Sequence, residues 1–147
     1  MLPWEEPLLA IDREGLHFTH CLGCGQDNPA GLKLDFRRDG ETARAEFIPG
    51  EVHQGWPNFV HGGLLCTILD EAIGYACLFL GLRGVTGKLE VRIRRPVPIG
   101  EPLLIAAAIT KRTRKLITAR STINFADGTP VAEGTALIYV LPEGHSV

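Results

Sequence analysis

The longest apolar run of this chain extends from Gly62 to Leu82, and its apolar positions cover nearly every face of a helical wheel. That pattern predicts a helix over residues 62–80, buried on most sides, with Gly81 and Gly84 as stop signals. Beyond it the period changes to two. Leu89, Val91 and Ile93 alternate with Glu90, Arg92 and Arg94, the signature of a half-buried strand. Strands are expected at 86–95, 102–111, 115–125 and 130–141, with hairpin turns at Arg112-Thr113-Arg114 and Asp127-Gly128. Ahead of the helix, residues 32–36 and 42–47 read as two strands around Arg38-Asp39-Gly40. Residues 48–60, with Pro49, Gly50, Gly55 and Pro57, read as loop, and residues 21–31 are rich in turn formers. Two strands, one long helix and four strands predict an α+β domain, an antiparallel sheet wrapped around a long central helix. A helix wrapped on one side leaves apolar surface that a second copy would cover.

Two features of the helix are foreign to a plain core element. It opens on His61-Gly62-Gly63, and its middle carries Asp70-Glu71. The first N–H groups of a helix have no intrahelical partner and sit at the positive end of its dipole. A carboxylate on an apolar helix must be solvated, paired or used. Together they suggest a carbonyl-polarising group and a general base. Eight residues of helix separate Gly62 from Asp70 by roughly 12 Å, too far for one small reacting group to touch both. Two such helices packed antiparallel bring Gly62 of one beside Asp70 of the other, so the motif predicts a homodimer with two shared sites. Glu71 points about 100° away from Asp70 and reads as a solvated or salt-bridged neighbour.

Composition narrows the class. The 147 residues suit one domain, 45% hydrophobic and 22% charged, with a formal net charge of −2. That balance argues against general nucleic-acid binding. The start of the chain has no basic segment followed by an apolar run, and the acids at the centre of the apolar helix disfavour a membrane span. A soluble cytoplasmic protein is expected, with residues 1–20 as an N-terminal arm. No serine lies in a nucleophile-elbow context, so a Ser-His-Asp triad is not expected.

Cys66 and Cys77 fall within the helix, where cysteine acts as a small buried hydrophobe. Cys21 and Cys24 form a C-x-x-C flanked by His17 and His20. Zinc ligation by these four is chemically possible, but no second, distant ligand pair exists. The expectation is a turn with reduced thiols and no metal.

The run His61-Gly62-Gly63, the acid Asp70 nine residues after the histidine, Thr86, and Arg95-Pro96-Val97-Pro98-Ile99-Gly100-Glu101 resemble the hotdog-fold acyl-CoA thioesterases, in particular the PaaI-like branch. The resemblance covers about residues 21–141, and the Cys-x-x-Cys-Gly-x-x-Asn-Pro-x-Gly-Leu opening is similar to that of some members. It implies a hotdog thioesterase domain over 21–147. It also implies that the Gly62 amide polarises the thioester carbonyl while Gly63 keeps the backbone accessible. Asp70, supplied by the opposite subunit, would act as general base or nucleophile, with Thr86 orienting water. His61 would fix the loop rather than transfer a proton. One departure stands out. Many relatives carry Asn or Gln six residues before the histidine as a second donor to the carbonyl, and here that position is Gly55, leaving Gln54, Asn58 or a water to substitute.

The expected activity is hydrolysis of an acyl-CoA to free acid and coenzyme A, with no metal or redox cofactor, in a dimer or a dimer of dimers. Of the basic residues in the second half, Arg95 and Arg112 are the candidates for the coenzyme A phosphates, since a guanidinium binds two oxygens. Trp56, Phe59, Tyr75 and Phe79 would line an acyl pocket or belong to the core. The rivals are a non-catalytic acyl-CoA binder, kept alive by Gly55, and a hotdog enoyl-CoA hydratase, which the His61–Asp70 spacing fits less well.

Overall fold

The computed structural model describes residues 19–142, so the expected arm over 1–20 lies almost wholly outside the described residues. Strands β1 (Arg37–Asp39) and β2 (Thr42–Phe47) come first. The helix α1 (Gly62–Leu78) follows, then β3 (Gly84–Ile93), β4 (Leu103–Arg112), β5 (Leu116–Phe125) and β6 (Pro130–Val140). All pairings are antiparallel, in one six-stranded sheet of order β1-β2-β4-β5-β6-β3. The helix packs against β2 to β6, with Leu65, Ile68, Leu69, Ala72, Ile73, Ala76 and Cys77 buried. This is the expected hotdog arrangement. No helix among the described residues is long and apolar enough to cross a membrane.

The helix is two residues shorter than expected. Phe79 caps it, Gly81 takes the left-handed conformation (φ +72°) that lets the chain turn away, and the Arg38 guanidinium donates to the Phe79 carbonyl at 3.0 Å. A cation there complements the negative end of the helix dipole. Gly84, read as a second stop signal, instead opens β3.

The expected strand over 32–36 is a correction. Its alternation is genuine, with Leu32, Leu34 and Phe36 buried and Lys33 and Asp35 exposed. Its partner is not a neighbouring strand, however. Leu32 N–H donates to Leu22 O and Leu34 N–H to Gly23 O, both at 2.9 Å, so the segment zips onto the Cys21–Cys24 turn. The β1–β2 hairpin begins only at Arg37.

Residues 48–60 form the platform under the start of α1. A 3-10 turn over Glu51–His53 is held by the Gly50 N–H donating to His53 Nδ1 at 2.9 Å. The His53 carbonyl accepts from His61 N–H at 2.9 Å, the Gln54–Val60 bridge closes the loop on itself, and the Phe59–Pro98 bridge ties it to the chain after β3. Burial against Phe47 holds His53 below its ordinary 6.5. The folded state therefore prefers the neutral ring, and the unfolded chain binds the proton more readily. The stability this contributes is present above 6.5 and is lost as pH falls from there toward the lower folded value. An NMR titration is expected to place the His53 midpoint below 6.5. Urea denaturation at pH 7.5 and 5.5 is expected to show wild type losing more stability on acidification than His53→Gln.

Candidate active site

The N-terminus of α1 is built around one side chain. His61 is the N-cap, in an extended conformation (φ −61°, ψ 131°), and its Nδ1 accepts the Gly63 N–H at 2.9 Å. With Nδ1 accepting, the neutral ring carries its proton on Nε2. Among the described residues the Gly62 N–H has no partner, and Gly62 is exposed. It faces a surface cavity of about 370 Å³ lined by Gly55, Trp56, Val60, His61 and Gly62. A free N–H at a helix N-terminus is suited to a partial negative charge on a carbonyl oxygen.

Glycine at position 55 has a local cause. A Cβ there would lie 3.0 Å from His61 Cα and 3.3 Å from its ring, so the histidine occupies the space an amide side chain would need. Gln54 is spent on the loop, accepting from Asn58 N–H at 2.7 Å and donating to Glu51 O at 2.9 Å. Asn58 sits in the left-handed region (φ 71°) with an exposed side chain. It does not line the cavity.

Asp70 lies two turns down the helix, half-buried, with Oδ1 accepting from Thr86 Oγ1 at 2.7 Å. The strand pattern alone would put Thr86 on the outer face with Lys88 and Glu90. A bulge corrects this. Thr86 pairs with the buried Ile138 while Lys88 pairs with Leu137, which leaves Gly87 as the extra residue. Paired residues share a face, so the bulge turns Thr86 toward the helix. A Cβ on Gly87 would run into the Tyr139 ring, so glycine lets that ring lie over the bulge.

The structure thus brings Asp70 and Thr86 together and holds His61, Gly62 and Gly63 apart from them at the helix start, with Asn58 in the loop before it. Arg95 and Arg112 do not converge. Arg95 donates to Pro130 O and Arg112 pairs with Ile117, whose other neighbour is Ile138. The two arginines lie toward opposite ends of β6, about 26 Å apart by strand rise. Arg94 and Arg120 both bind Glu133, at 2.9 and 3.0 Å, so part of the basic run is spent on the sheet surface.

The aromatics divide. Tyr75 stacks on Phe36 at 4.7 Å and packs against Phe79 at 5.7 Å, whereas Trp56 is 83% exposed beside the Gly62 cavity. A second cavity of about 270 Å³ opens on the Thr86 side, lined among others by Cys21, Cys24, Glu71, Tyr75, Leu78 and Thr86. Glu71, expected to be a solvated neighbour, instead accepts from the Cys21 thiol at 3.4 Å. Burial and then the Glu71 carboxylate push the Cys24 thiol up to about 12, against a lowering hydrogen bond with Tyr75. Burial likewise raises Tyr75, and Cys77 to about 11. These thiols stay protonated near neutrality and are poor nucleophiles. The Cys21–Glu71 contact spans fifty residues of sequence, and no local signal announces it.

A glycine amide without a partner at a helix start and a Thr-bound aspartate on the same helix are thus set within one hotdog fold. The thioesterase superfamily model matches residues 57–132, just over half of the chain. The chain belongs to the thioesterase superfamily. It is similar to the acyl-coenzyme A thioesterase THEM4 of Xenopus laevis, 26% identical over 132 residues, covering 89% of this chain and 54% of the relative. The Bos taurus protein of that name is 32% identical over 140 residues, covering 92% and 58%. The chain therefore spans about half the length of these relatives. Among solved structures, the thioesterase superfamily protein RHA08564 superposes with a TM-score of 0.78 at 27% identity, over 82% of this chain and 60% of that one. The PaaI protein of the E. coli phenylacetic acid degradation operon shares the fold, with a TM-score of 0.71 at 21% identity, over 76% and 81%.

His61→Ala removes the acceptor for the Gly63 N–H and is expected to destabilise the protein by about 1 kcal/mol, the usual worth of an N-cap. Urea denaturation of the two proteins measures it.

Proposed function

We propose that this chain hydrolyses acyl-CoA thioesters as a homodimer, at two sites that each combine Gly62 of one copy with Asp70 and Thr86 of the other. The observation that carries this reading is the unpartnered Gly62 N–H on the same helix as the Asp70–Thr86 pair, roughly 12 Å away by helical rise. A single chain holds both halves of the chemistry but cannot bring them together. β3 supports the pairing. It is an edge strand of ten residues with an exposed apolar Ile93 at its end, and a Cβ on Gly62 would lie 3.5 Å from the Ile93 side chain. A second copy laid along that edge would reach the helix start. The relatives named acyl-coenzyme A thioesterases supply the substrate class.

The thioester carbonyl oxygen would accept the Gly62 N–H. Asp70, held by the Thr86 hydroxyl, would take a proton from water as the water oxygen attacks the carbonyl carbon. The oxyanion then collapses and expels the thiolate, which recovers the proton, leaving free acid and coenzyme A. His61 positions the amide by capping; with Nδ1 engaged it is not a base, which weighs against hydratase chemistry. The acyl-CoA binder remains the second reading because Gly55 supplies no side-chain donor. The absence of one oxyanion donor is worth about 10²–10³ in rate.

Two variants test the shared site. Asp70→Asn removes the base, and Gly62→Pro removes only the N–H, since proline is tolerated at the first helical position. His61 already has the backbone that precedes proline comfortably. Each homodimer is expected to lose about 10²–10³ in kcat on the preferred acyl-CoA. Refolding the two together restores one intact site per mixed dimer and a measurable share of the activity. Binding without turnover in wild type supports the binder, and mixed dimers with no recovery place both groups in one chain.

A further inference from the structure

We propose that Cys21, Cys24 and Glu71 form a zinc site, with the two sulfurs and one carboxylate oxygen as ligands and a water in the fourth place. This reverses the expectation of no metal and changes the ligand set read from the sequence. His20 is exposed and hydrogen-bonded to Thr19 at 3.1 Å, and His17 lies outside the described residues. Glu71 takes the place of a histidine.

The ligand atoms of the three residues all lie within 4.8 Å of one another, and Cys21 Sγ to Glu71 Oε1 is 3.4 Å. Tetrahedral zinc, with Zn–S near 2.3 Å and Zn–O near 2.1 Å, sets its ligands about 3.6 Å apart. The group therefore needs only small side-chain adjustments to close on an ion. Thiolate sulfur beside one carboxylate selects zinc over the hard cations. The backbone is already shaped for this. Gly25 N–H donates to Cys21 O at 2.9 Å, and a Cβ on Gly25 would lie 2.5 Å from Thr19 O, so only glycine closes the turn that puts both thiols on one side. At Gly23 the Glu71 carboxyl rests directly against the turn, since a Cβ there would lie 2.5 Å from Glu71 Cδ and 2.7 Å from Oε2. The turn is locked by Asn28 donating to His20 O at 3.1 Å, in addition to its zip onto Leu32 and Leu34. The three ligands line the 270 Å³ cavity, which leaves room for a water at the open position.

Binding releases one proton from each thiol as two Zn–S bonds form, and the site changes from −1 to −1 overall: one carboxylate before, then two thiolates and a carboxylate with Zn²⁺. No net charge is added beside the neighbouring Asp70. The ion would clip residues 21–25 to the middle of α1. The proposal is independent of the thioesterase reading, since metal content and spectra are read without substrate.

The full chain, purified under reducing conditions without chelator, is expected to carry about one zinc per chain by mass spectrometric metal analysis. Stripped protein titrated with cobalt chloride is expected to show tetrahedral d–d bands and a thiolate-to-cobalt charge-transfer band. Cys24→Ser is expected to weaken cobalt binding at least about 100-fold and Glu71→Gln at least about 10-fold, while Cys66→Ser leaves it unchanged. Should Cys24→Ser fail to fold, Cys21→Ser and Glu71→Gln, at half-buried positions, carry the same test. Substoichiometric zinc with no charge-transfer band in the reduced wild type overturns the proposal. So does binding that persists in Cys21→Ser/Cys24→Ser, or a Cys21–Cys24 disulfide that excludes the metal.

Discussion

Helix α1 is held in the concave face of a single sheet, where Leu65, Ile68, Leu69, Ile73 and their neighbours pack against β2 to β6 with almost no exposed surface. Each such side chain is worth about 1.5–3 kcal/mol when removed from water, so the helix cannot shift to suit its polar groups. They must sit where the wrapping stops. The N-terminus projects past the sheet between the 48–60 loop and the end of β3. Asp70 meets the bulged start of that strand, and Glu71 meets the Cys21–Cys24 turn. One buried helix thus fixes three polar stations, and the sheet around it fixes what each can reach.

The separation between the first two stations follows from helical rise and nothing else. A helix rigid enough to hold a backbone N–H in place also holds Asp70 two turns away, so in the proposed function a second copy supplies the missing half. The economy at the helix start is similar. The His61 ring satisfies one N–H, fills the space beside Gly55, and leaves the neighbouring N–H free. Capping of one amide and exposure of the next are one local arrangement.

Asp70 and Glu71 diverge because successive helical side chains point about 100° apart. Asp70 turns to a hydroxyl on β3 and Glu71 to two thiols on the N-terminal turn. The residues of that turn bury Leu32, Leu34 and Phe36 against the core, and Phe36 stacks on Tyr75 of the same helix. The segment before β1 is thereby part of the helix environment, and a metal clip at Glu71 would act on the residue beside the proposed base.

The elements were legible in the sequence because their signals are local. A long apolar run broken by an acidic pair and ended by glycines reads as a buried helix, and the alternation of Leu89, Val91 and Ile93 is a property of a strand wherever it pairs. The glycine amide, its histidine cap and the acid two turns on were legible for the same reason, since helical spacing converts sequence distance into space. Hairpin pairing was legible from the turns that join β1 to β2, β4 to β5 and β5 to β6, but longer-range pairing and register were not. The alternation of Leu32, Leu34 and Phe36 gave no hint that a turn about ten residues earlier would take the N–H groups of Leu32 and Leu34. The period of β3 put Thr86 on the wrong face until one extra residue, Gly87, reset the register against β6. Glu71 and Cys21 lie fifty residues apart and meet only because the sheet folds the N-terminal turn onto the middle of the helix. Sequence determines what repeats along the chain. Which distant groups touch is decided by the packing of the whole, because contact depends on register and on the single way the helix fits its sheet.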